Sequence, residues 1–520
     1  MGIKRIGFVL GIALFVLTLV LPVPHSFLVA AQHLVAQQQA NVEPALLASS
    51  MRSVLAVLIL IIIFWLTEAA PLPATALLPA VLFPLLRVSG IQSNAIVEFS
   101  TRSTLLNYAN PVIYLFLGGF LIAGAMQKWK LDRRLTLWLL TRGSLASDTR
   151  SILFGIMAVT AFLSMWMSNT ATAAMMLPLG IGILTLVGAD VGKSRYGTAL
   201  MLGIAWAASI GGVGTIIGTP PNGIVLGILN STFANDPNYH RITFLDWMKF
   251  GVPYVLIYLP VAWFILIKMH PPEIIALEGG KERLLRDRAA LGPLSRGEIG
   301  TICVFLLAVA LWTTNPFWDS MFPSFIAARL GWLDEYLIGL MCGTLLFFVP
   351  VSFSKGIFLL DWHDTKFVDW GTLILFGGGI ALSDAMFKTG LASWIATSFV
   401  GMLGTPSTVV MVFAVVLMMA FLTEVTSNTA VTSMMVPVVI SIAIRTGENP
   451  VTVAVAAAIA ASMAFMLPVA TPPNALVYGT GYVSLKDMVR TGFILEVSGW
   501  LMTVFVVLVI AGRLWGVVGY

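Results

Sequence analysis

Two short polar motifs recur in an otherwise apolar sequence, and their residue types suit the binding of small ions. Ser168-Asn169-Thr170 and Ser427-Asn428-Thr429 each precede a Thr-Pro-Pro-Asn motif, at residues 219–222 and 471–474. Ser, Asn and Thr cap the N-termini of helices, where unpaired backbone donors and a partial positive charge of roughly half a unit attract anions. Two such ends facing each other would clamp an anion. The Asn amides and Thr hydroxyls add hydrogen-bond donors for carboxylate oxygens.

The motifs belong to a longer internal repeat. Phe116 and Phe376 open a series of matching residues at an offset of 260 residues, which includes Lys128 with Lys388 and ends at Leu131 and Leu391. The Ser-Asn-Thr motifs follow at an offset of 259 and the Thr-Pro-Pro-Asn motifs at 252. A collinear series of this kind indicates duplication. A duplicated polar motif in apolar sequence predicts a binding site built from two halves.

Composition predicts an all-α polytopic membrane protein. Of the 520 residues, 58% are hydrophobic and 10% are charged, whereas soluble domains carry about 25% charged residues. Stretches long enough to cross a bilayer, about 20 residues each, predict about eleven transmembrane helices. The stretches are 6–22, 52–70, 72–86, 111–126, 198–229, 250–267, 299–314, 336–352, 370–387, 451–480 and 492–516.

The segments that carry the polar motifs require other conformations. Segments 151–187 and 406–444 are apolar on both sides of a Ser-Asn-Thr centre, with flanks of about half a span. This pattern predicts two re-entrant helical hairpins, which are tolerated at membrane depth only where the turn is buried or lines a wet cavity. The Thr-Pro-Pro-Asn motifs predict two broken helices, because proline removes a backbone donor and disfavours helix before it. Carbonyls freed at such breaks suit a hard cation such as sodium.

The positions of Lys and Arg in loops predict the orientation. Three basic clusters are expected on the cytoplasmic side of a bacterial inner membrane, with the N-terminus inside and the C-terminus outside. They comprise Lys4 and Arg5; Lys128, Lys130, Arg133, Arg134, Arg142 and Arg150; and Lys268, Lys281, Arg283, Arg286, Arg288 and Arg296. Five predicted crossings separate Lys128 from Lys388, an odd number. The repeat is therefore expected to have inverted topology, as in alternating-access transporters.

Four regions follow from this organisation. They are an N-terminal span and external segment (1–51), a first inverted repeat (52–267), a charged cytoplasmic loop (268–298) and a second inverted repeat (299–520). Residues 1–22 also fit the template of a cleaved signal peptide. Cys303 and Cys342 lie within predicted spans and show no metal-ligand or disulfide spacing.

The polar segments lack positive side chains. No Arg or Lys lies within either Ser-Asn-Thr or Thr-Pro-Pro-Asn motif, so a bound dianion would have no full countercharge from the protein. Bound cations would supply that charge, and each partner would then lower the desolvation cost of the other. This predicts obligatory coupling between anion and cation.

The motifs resemble those of the divalent anion/sodium symporter family. The segment at residues 462–477, SMAFMLPVATPPNALV, is similar to the C-terminal motif of that family. The resemblance extends over the chain from about residue 52. It implies sodium-coupled transport of dicarboxylates, citrate or, in some branches, sulfate, by a homodimer in which a transport domain moves against a scaffold like an elevator. No nucleic acid is expected as a partner.

The resemblance also implies site residues. The first sodium ion would contact Ser164, Ser168, Asn169 and the backbone at Gly218; the second would contact Thr423, Ser427, Asn428 and the backbone at Ala470. Substrate carboxylates would contact Asn169, Thr170, Asn428 and Thr429, with Thr219, Pro220, Thr471 and Pro472 closing the pocket. The distance from the Ser-Asn-Thr motif to the Thr-Pro-Pro-Asn motif is seven residues longer in the first half than in the second. The assignments of Gly218 and Thr219 depend on aligning the two halves across this difference.

Two acidic residues and the substrate are left open at this stage. Glu424, three residues before the second Ser-Asn-Thr motif, is either a cation ligand or, as we favour, a structural partner within the hairpin. Glu68 has no partner in the repeat. C4-dicarboxylates such as succinate, malate and fumarate are the favoured substrates, and citrate is second.

Other classes of function fit the sequence less well. A sodium-independent dicarboxylate or citrate exchanger and a sulfate symporter share the expected architecture. An intramembrane hydrolase needs a nucleophile beside a base, yet the five histidines fall near loops or span ends and none accompanies the repeated serines. An anion channel would more naturally carry rings of basic residues. We therefore expect a transporter and not an enzyme.

Overall fold

The fold is almost entirely helical. The computed structural model describes residues 2–141, 148–234, 236–237, 239–273, 280–324, 329–403 and 407–511. Arg142, residue 406 at the predicted start of the second hairpin, and residues 512–520 lie outside this part. Within it, nine helices are long and apolar enough to cross a membrane. The predicted class, an all-α polytopic membrane protein, is confirmed, whereas the count of eleven spans stays a prediction.

The long apolar helices alternate with shorter elements. The nine helices are Ile3–Val20, Pro44–Thr67, Pro111–Lys128, Asn169–Leu186, Phe244–Met269, Arg296–Thr314, Trp370–Thr389, Asn428–Thr446 and Leu485–Val506. The other α-helices are His25–Gln37, Leu72–Ala76, Leu78–Leu85, Thr101–Leu106, Leu131–Leu140, Thr149–Ser164, Arg195–Gly212, Pro220–Thr232, Gly280–Ala290, Trp318–Met321, Glu335–Leu345, Leu391–Leu403, Thr408–Val425, Pro450–Ala461 and Pro472–Tyr478. Two antiparallel strand pairs, Ser89–Gln92 with Ala95–Glu98 and Pro350–Ser352 with Ile357–Phe358, close short loops.

The two halves repeat one series of elements. Each half has a glycine-rich helix, a shorter helix directly after it, a helical hairpin and a broken span. The glycine-rich helices are Pro111–Lys128 and Trp370–Thr389, and the helices that follow them are Leu131–Leu140 and Leu391–Leu403. Hairpin 1 is Thr149–Ser164 with Asn169–Leu186, and hairpin 2 is Thr408–Val425 with Asn428–Thr446. Broken span 1 is Arg195–Gly212 with Pro220–Thr232, and broken span 2 is Pro450–Ala461 with Pro472–Tyr478. The halves meet at Phe116 and Phe376, the first pair of the sequence repeat, whose ring centroids are 4.7 Å apart.

The hairpin turns form where the Ser-Asn-Thr motifs were expected to cap helices. In hairpin 1, Ser168 is the N-cap, and its hydroxyl accepts a hydrogen bond from the N–H of Ala171 at 3.3 Å. In hairpin 2, Ser427 occupies the same position, but its side chain makes no capping hydrogen bond. The returning helices begin one position after these serines, at Asn169 and Asn428. In both halves the motif therefore starts the returning helix, after the first helix has ended at Ser164 or Val425.

The breaks lie at the Thr-Pro-Pro-Asn motifs, as predicted. Each second half-helix begins with its first proline, Pro220 or Pro472, whose fixed φ and missing N–H suit the first position of a helix. The preceding threonines, Thr219 and Thr471, are extended, with φ of −147° and −141°. Proline sterics favour this extended conformation.

Some predicted spans differ from the structure. Residues 72–86 form two short helices because prolines recur through the stretch, and residues 336–352 are helical only to Leu345 before a strand begins at Pro350. The second long helix begins at Pro44 and not at residue 52, and the helix His25–Gln37 lies before it. The charged loop contains the helix Gly280–Ala290.

Small residues let hairpin 1 and broken span 1 approach closely. A β-carbon at Gly211 of broken span 1 would lie 2.5 Å from Cα and 2.7 Å from the carbonyl carbon of Ala161 in hairpin 1. Because the atoms opposed to it are backbone atoms, they cannot rotate away. Close contact through small residues is a common basis of helix association in membranes, where lipid offers no hydrophobic driving force between helices.

This contact predicts that substitution of glycine by alanine destabilises the protein at Gly211 but not at Gly182, another glycine within a helix. Gly211→Ala should lower the thermal unfolding midpoint of the purified protein in detergent, with a destabilisation of about 1–3 kcal/mol from overpacking. Gly182→Ala is the matched control, since a β-carbon there meets no atom within 4 Å. Alanine is the better helix former by about 0.5–1 kcal/mol. An equal or higher midpoint for Gly211→Ala than for Gly182→Ala would contradict the packing.

Candidate functional site

A cluster of oxygens forms where the turn of hairpin 1 meets broken span 1. The hydroxyl oxygen of Ser164 lies 2.7 Å from Asn169 Oδ1 and 2.7 Å from the carbonyl oxygen of Ala208. Serine has one hydroxyl hydrogen and can donate to only one of these acceptors. Ser164 is fully buried. Asn169 is half-buried. Three oxygens with one proton among them match the ligands that a hard cation prefers.

The second half contains the same cluster. Thr423 Oγ1 lies 2.6 Å from Asn428 Oδ1 and 2.8 Å from the carbonyl oxygen of Ala461. Thr423 is fully buried as well. Hydroxyl, amide and carbonyl oxygens thus recur at corresponding positions of the repeat, although serine is replaced by threonine. Recurrence in both halves indicates that the arrangement has a function beyond local packing.

The break of broken span 1 approaches the first cluster closely. A β-carbon at Gly212 would lie 2.5 Å from Asn169 Oδ1, 3.1 Å from Thr219 Cβ and 3.2 Å from the carbonyl oxygen of Gly218. The structure therefore brings Ser164, Asn169, Gly218 and Thr219 together, although the two motifs are seven residues further apart in this half than in the second. Only glycine at position 212 leaves room for this approach. Sequence reasoning missed Gly212, although the pair of glycines before the motif was visible.

Asparagines that close the Thr-Pro-Pro-Asn motifs hold the breaks together. Asn222 Nδ2 donates to the carbonyl oxygens of Gly212 at 3.0 Å and Thr215 at 2.8 Å. Asn474 makes the matching pair of hydrogen bonds in the second break, at 2.9 and 3.1 Å. Both asparagines are fully buried. These bonds satisfy backbone carbonyl groups that lose their helical partners at the break. The Thr-Pro-Pro-Asn motif thus starts a new helix and also supplies the hydrogen bonds that stabilise the break before it.

The remaining predicted residues occupy different environments in the two halves. Thr170 is exposed, whereas its counterpart Thr429 is buried. Thr219 and Thr471 are both buried, while Pro220 is half-buried and Pro472 is exposed. Ala470 is buried in the second break. Among the described residues, no hydrogen bond joins Ala470 to Thr423 or Asn428.

Glu424 ties hairpin 2 to the second break. Its Oε1 accepts hydrogen bonds from the N–H groups of Phe465 at 2.5 Å and Met466 at 2.7 Å, and its Oε2 accepts one from Leu467 at 2.9 Å. Hydrogen bonds from three consecutive backbone groups stabilise a carboxylate strongly. This geometry agrees with the structural role that we favour for Glu424. Glu68 lies elsewhere, in an exposed ion pair with Lys4 at 3.0 Å.

The fold and the paired clusters define a class of protein. Two related halves each carry a hairpin turn and a helix break that meet around buried oxygens. Discontinuous helices of this kind form the ion and substrate sites of secondary transporters. The molecule is a membrane transporter built by internal duplication.

Comparison with known proteins agrees. Residues 36–519 match the family model described as sodium:sulfate symporter transmembrane region. The chain is 36% identical to the sodium-dependent dicarboxylate transporter SdcS of Staphylococcus saprophyticus, over 97% of this chain and 91% of that protein. It is 34% identical to SdcS of Staphylococcus aureus strain NCTC 8325, over 87% and 85%. The solved structure of the Alcanivorax borkumensis YdaH transporter shares the fold, with a TM-score of 0.54, 15% identity and coverage of 86% and 98%.

The chain belongs to the sodium:sulfate symporter family. Its model matches nearly the whole chain, and both relatives are similar over most of their length. The resemblance inferred from the motifs is therefore confirmed, and so is the expectation of a transporter and not an enzyme.

Proposed function

We propose that the chain couples the import of C4-dicarboxylates to sodium ions. The observation that carries the proposal is the pair of matching oxygen clusters, at Ser164 with Asn169 and at Thr423 with Asn428. The names of the relatives, sodium-dependent dicarboxylate transporters, support both the ion and the substrate class.

Each cluster would hold one sodium ion. The first ion contacts the hydroxyls of Ser164 and Ser168, Asn169 Oδ1 and the carbonyl oxygen of Gly218. The second contacts the hydroxyls of Thr423 and Ser427, Asn428 Oδ1 and the carbonyl oxygen of Ala470. In the second half the Ser427 hydroxyl makes no capping bond, so it is available as a ligand. Oxygen ligands of this number and type suit Na⁺, a small hard cation.

Asn169 and Asn428 would link the ions to the substrate. In each amide, Oδ1 faces the cation cluster, which leaves the Nδ2 group to donate to a substrate carboxylate. A cation on Oδ1 fixes the orientation of the amide and strengthens its N–H donors. Thr170 and Thr429 add hydroxyl donors, and the pocket is closed at Thr219, Pro220, Thr471 and Pro472. Binding of ion and anion is then coupled through shared residues.

We propose that transport proceeds by an elevator motion within a homodimer in the bacterial inner membrane. Within each half the hairpin is tied to its broken span, by the close contact of Gly211 with Ala161 in the first and by Glu424 in the second. Hairpins and broken spans would therefore move together, carrying both clusters, while the other spans stay in place.

Uptake into proteoliposomes tests the proposed function. Labelled succinate should accumulate with an inward sodium gradient and fail to accumulate when potassium replaces sodium, because potassium is too large for a small oxygen cage. Competition by unlabelled malate, fumarate, citrate and sulfate would rank the substrates. Equal uptake with and without sodium would contradict the proposal and favour the exchanger.

Removing either amide should abolish uptake. Asn169→Ala and Asn428→Ala each delete a group that serves both a cation and the substrate, and loss of a buried hydrogen bond to a charged partner costs about 1.5–3 kcal/mol. The exposed Asn41 provides the control variant Asn41→Ala, which should transport normally. Full uptake by either site variant at normal expression would remove that asparagine from the site.

Removing a hydroxyl that contacts one cation should change the sodium dependence of transport more than its succinate dependence. Thr423→Val keeps the shape of the side chain and deletes its oxygen. We expect the half-saturating sodium concentration to rise about 5- to 150-fold, which corresponds to about 1–3 kcal/mol. The half-saturating succinate concentration at saturating sodium should change less. Thr389→Val is the control, because Thr389 is also fully buried and, within the part of the chain that the structure describes, its hydroxyl bonds only to the carbonyl oxygen of Ala385, at 2.7 Å. Unchanged sodium dependence would exclude Thr423 as a ligand.

A further inference from the structure

A cavity of about 270 Å³ lies where helices of the two halves begin or end. Broken span 1 begins beside it at Arg195, the helix Phe244–Met269 ends beside it before His270, and the helix Leu485–Val506 begins beside it. A single water molecule needs about 10–15 Å³ of such space. The cavity therefore has room for a chemical group many times larger than water.

Three positive side chains line this cavity, those of Lys193, Arg195 and Arg490. Within the described part of the chain, none of the three forms an ion pair or a side-chain hydrogen bond. By contrast, Lys128 and Arg134 each pair with a carboxylate, at 2.6 and 2.5 Å. The cavity thus gathers cations that the fold leaves without partners.

Two acids close to the cavity are already engaged. Asp487 is part of the lining, and its Oδ2 accepts a hydrogen bond from the Ser484 hydroxyl at 2.5 Å. The carboxylate of Glu273 accepts hydrogen bonds from the N–H groups of Arg195 and Tyr196, the latter at 3.0 Å. Three positive side chains around one cavity repel one another, and two acids balance them only in part. The remaining excess of positive charge favours an anion.

Hydrogen bonds between the two halves hold the walls of the cavity in place. The Thr198 hydroxyl donates to the carbonyl oxygen of Tyr482 at 2.8 Å, and the Tyr482 hydroxyl donates to that of Ala189 at 3.2 Å. On the remaining wall, His270 is 7% exposed, and its Nε2 lies 2.8 Å from the hydroxyl oxygen of Thr491. The cavity is therefore formed before any ligand binds, which lowers the cost of ordering on binding.

An exposed apolar stripe begins at the cavity and follows the helix Leu485–Val506. Four apolar residues share a helical face with Arg490, because they follow it by three, four, seven and eleven positions. They are Phe493, Ile494, Val497 and Leu501, and they are 37–57% exposed. From Arg490 to Leu501 the helix rises about 16 Å, close to one leaflet of a hydrocarbon core about 30 Å thick. The positive cavity thus continues into an apolar surface of the length that one acyl chain would cover.

We propose that the cavity binds the phosphate headgroup of an anionic phospholipid, whose acyl chain lies along the apolar stripe. The guanidinium groups of Arg195 and Arg490 suit phosphate oxygens, to which arginine donates in a bidentate manner, and Lys193 adds a point charge. Basic pockets between membrane helices bind lipid headgroups. A soluble anion would use the cavity and leave the stripe uncovered, so the two features together favour a lipid.

This lipid site is separate from the transport chemistry. No lining residue belongs to either oxygen cluster, so binding requires neither sodium nor a dicarboxylate. A bound headgroup would join Lys193 and Arg195 of the first half to Arg490 of the second. The lipid would therefore stabilise the contact between broken span 1 and the helix Leu485–Val506.

Thermal unfolding of the full chain, purified in a neutral detergent, tests the inference. Phosphatidylglycerol should raise the unfolding midpoint in a saturable manner, because a ligand that binds only the folded state stabilises it. Phosphatidylcholine balances its phosphate with a positive charge and should raise the midpoint less, and inorganic phosphate at the same concentration should leave it unchanged. Equal stabilisation by phosphate and phosphatidylglycerol would overturn the lipid assignment in favour of a soluble anion. Equal stabilisation by both lipids would overturn the headgroup site.

Variants without the positive charges locate the site. From the dependence of the midpoint on lipid concentration, Arg490→Gln should weaken phosphatidylglycerol binding about 10- to 100-fold, since it loses hydrogen bonds to a charged group. Lys193→Gln should weaken it about 5-fold, the contribution of one charge. Arg296→Gln is the control, because Arg296 is an exposed arginine at the first position of another long helix, outside the cavity.

The control should bind phosphatidylglycerol as the wild type does. Wild-type affinity in Arg490→Gln, or an equal loss in Arg296→Gln, would overturn the inference. Lys193 is exposed in the loop before broken span 1, so Lys193→Gln keeps the test decisive if Arg490→Gln fails to fold. Wild-type affinity in Lys193→Gln would then contradict the site.

Discussion

The structure depends on how polar backbone is satisfied at membrane depth. A bilayer core provides no water to pair with carbonyl and N–H groups, yet two breaks and two hairpin turns lie within this apolar fold. Asn222 and Asn474 pair the carbonyls of their breaks, and Glu424 pairs three N–H groups. Oxygens that remain after this pairing form the two clusters. The need to pair buried backbone groups therefore explains both the hydrogen bonds that stabilise the breaks and the oxygens that remain available to cations.

The two halves join break and hairpin with different groups. In the first half, the hydroxyl of Thr215 in the break donates to the backbone carbonyl of Met165 in the hairpin. In the second half, the hairpin residue after Thr423 is Glu424, and its side chain accepts from the backbone of the break. In both halves the break donates and the hairpin accepts, but the side chain belongs to the break in the first half and to the hairpin in the second. One consequence is that the second half carries a buried carboxyl group, Glu424, beside its cluster.

Much of the site could be predicted from sequence because its residues stand in repeated motifs. The hairpin turns at Ser168 and Ser427 and the breaks at Pro220 and Pro472 follow from local rules of capping and proline geometry. The carbonyl partners Ala208 and Ala461 could not be predicted, since an alanine gives no sign that its backbone faces a distant hydroxyl.

The seam between the halves has a consequence for the origin of the molecule. Every hydrogen bond that closes a break joins residues of the same half, whereas Phe116 and Phe376 meet across the halves through ring contact alone. An ancestral chain of half this length would have satisfied the polar groups of its own break before it met a second copy. Its pairing surface also acquired polar contacts, since Lys128 of the first half pairs with Asp364 of the second at 2.6 Å. Gene fusion would then have joined two chains that already fitted, and the later divergence of Met165 and Glu424 would have made the halves unequal.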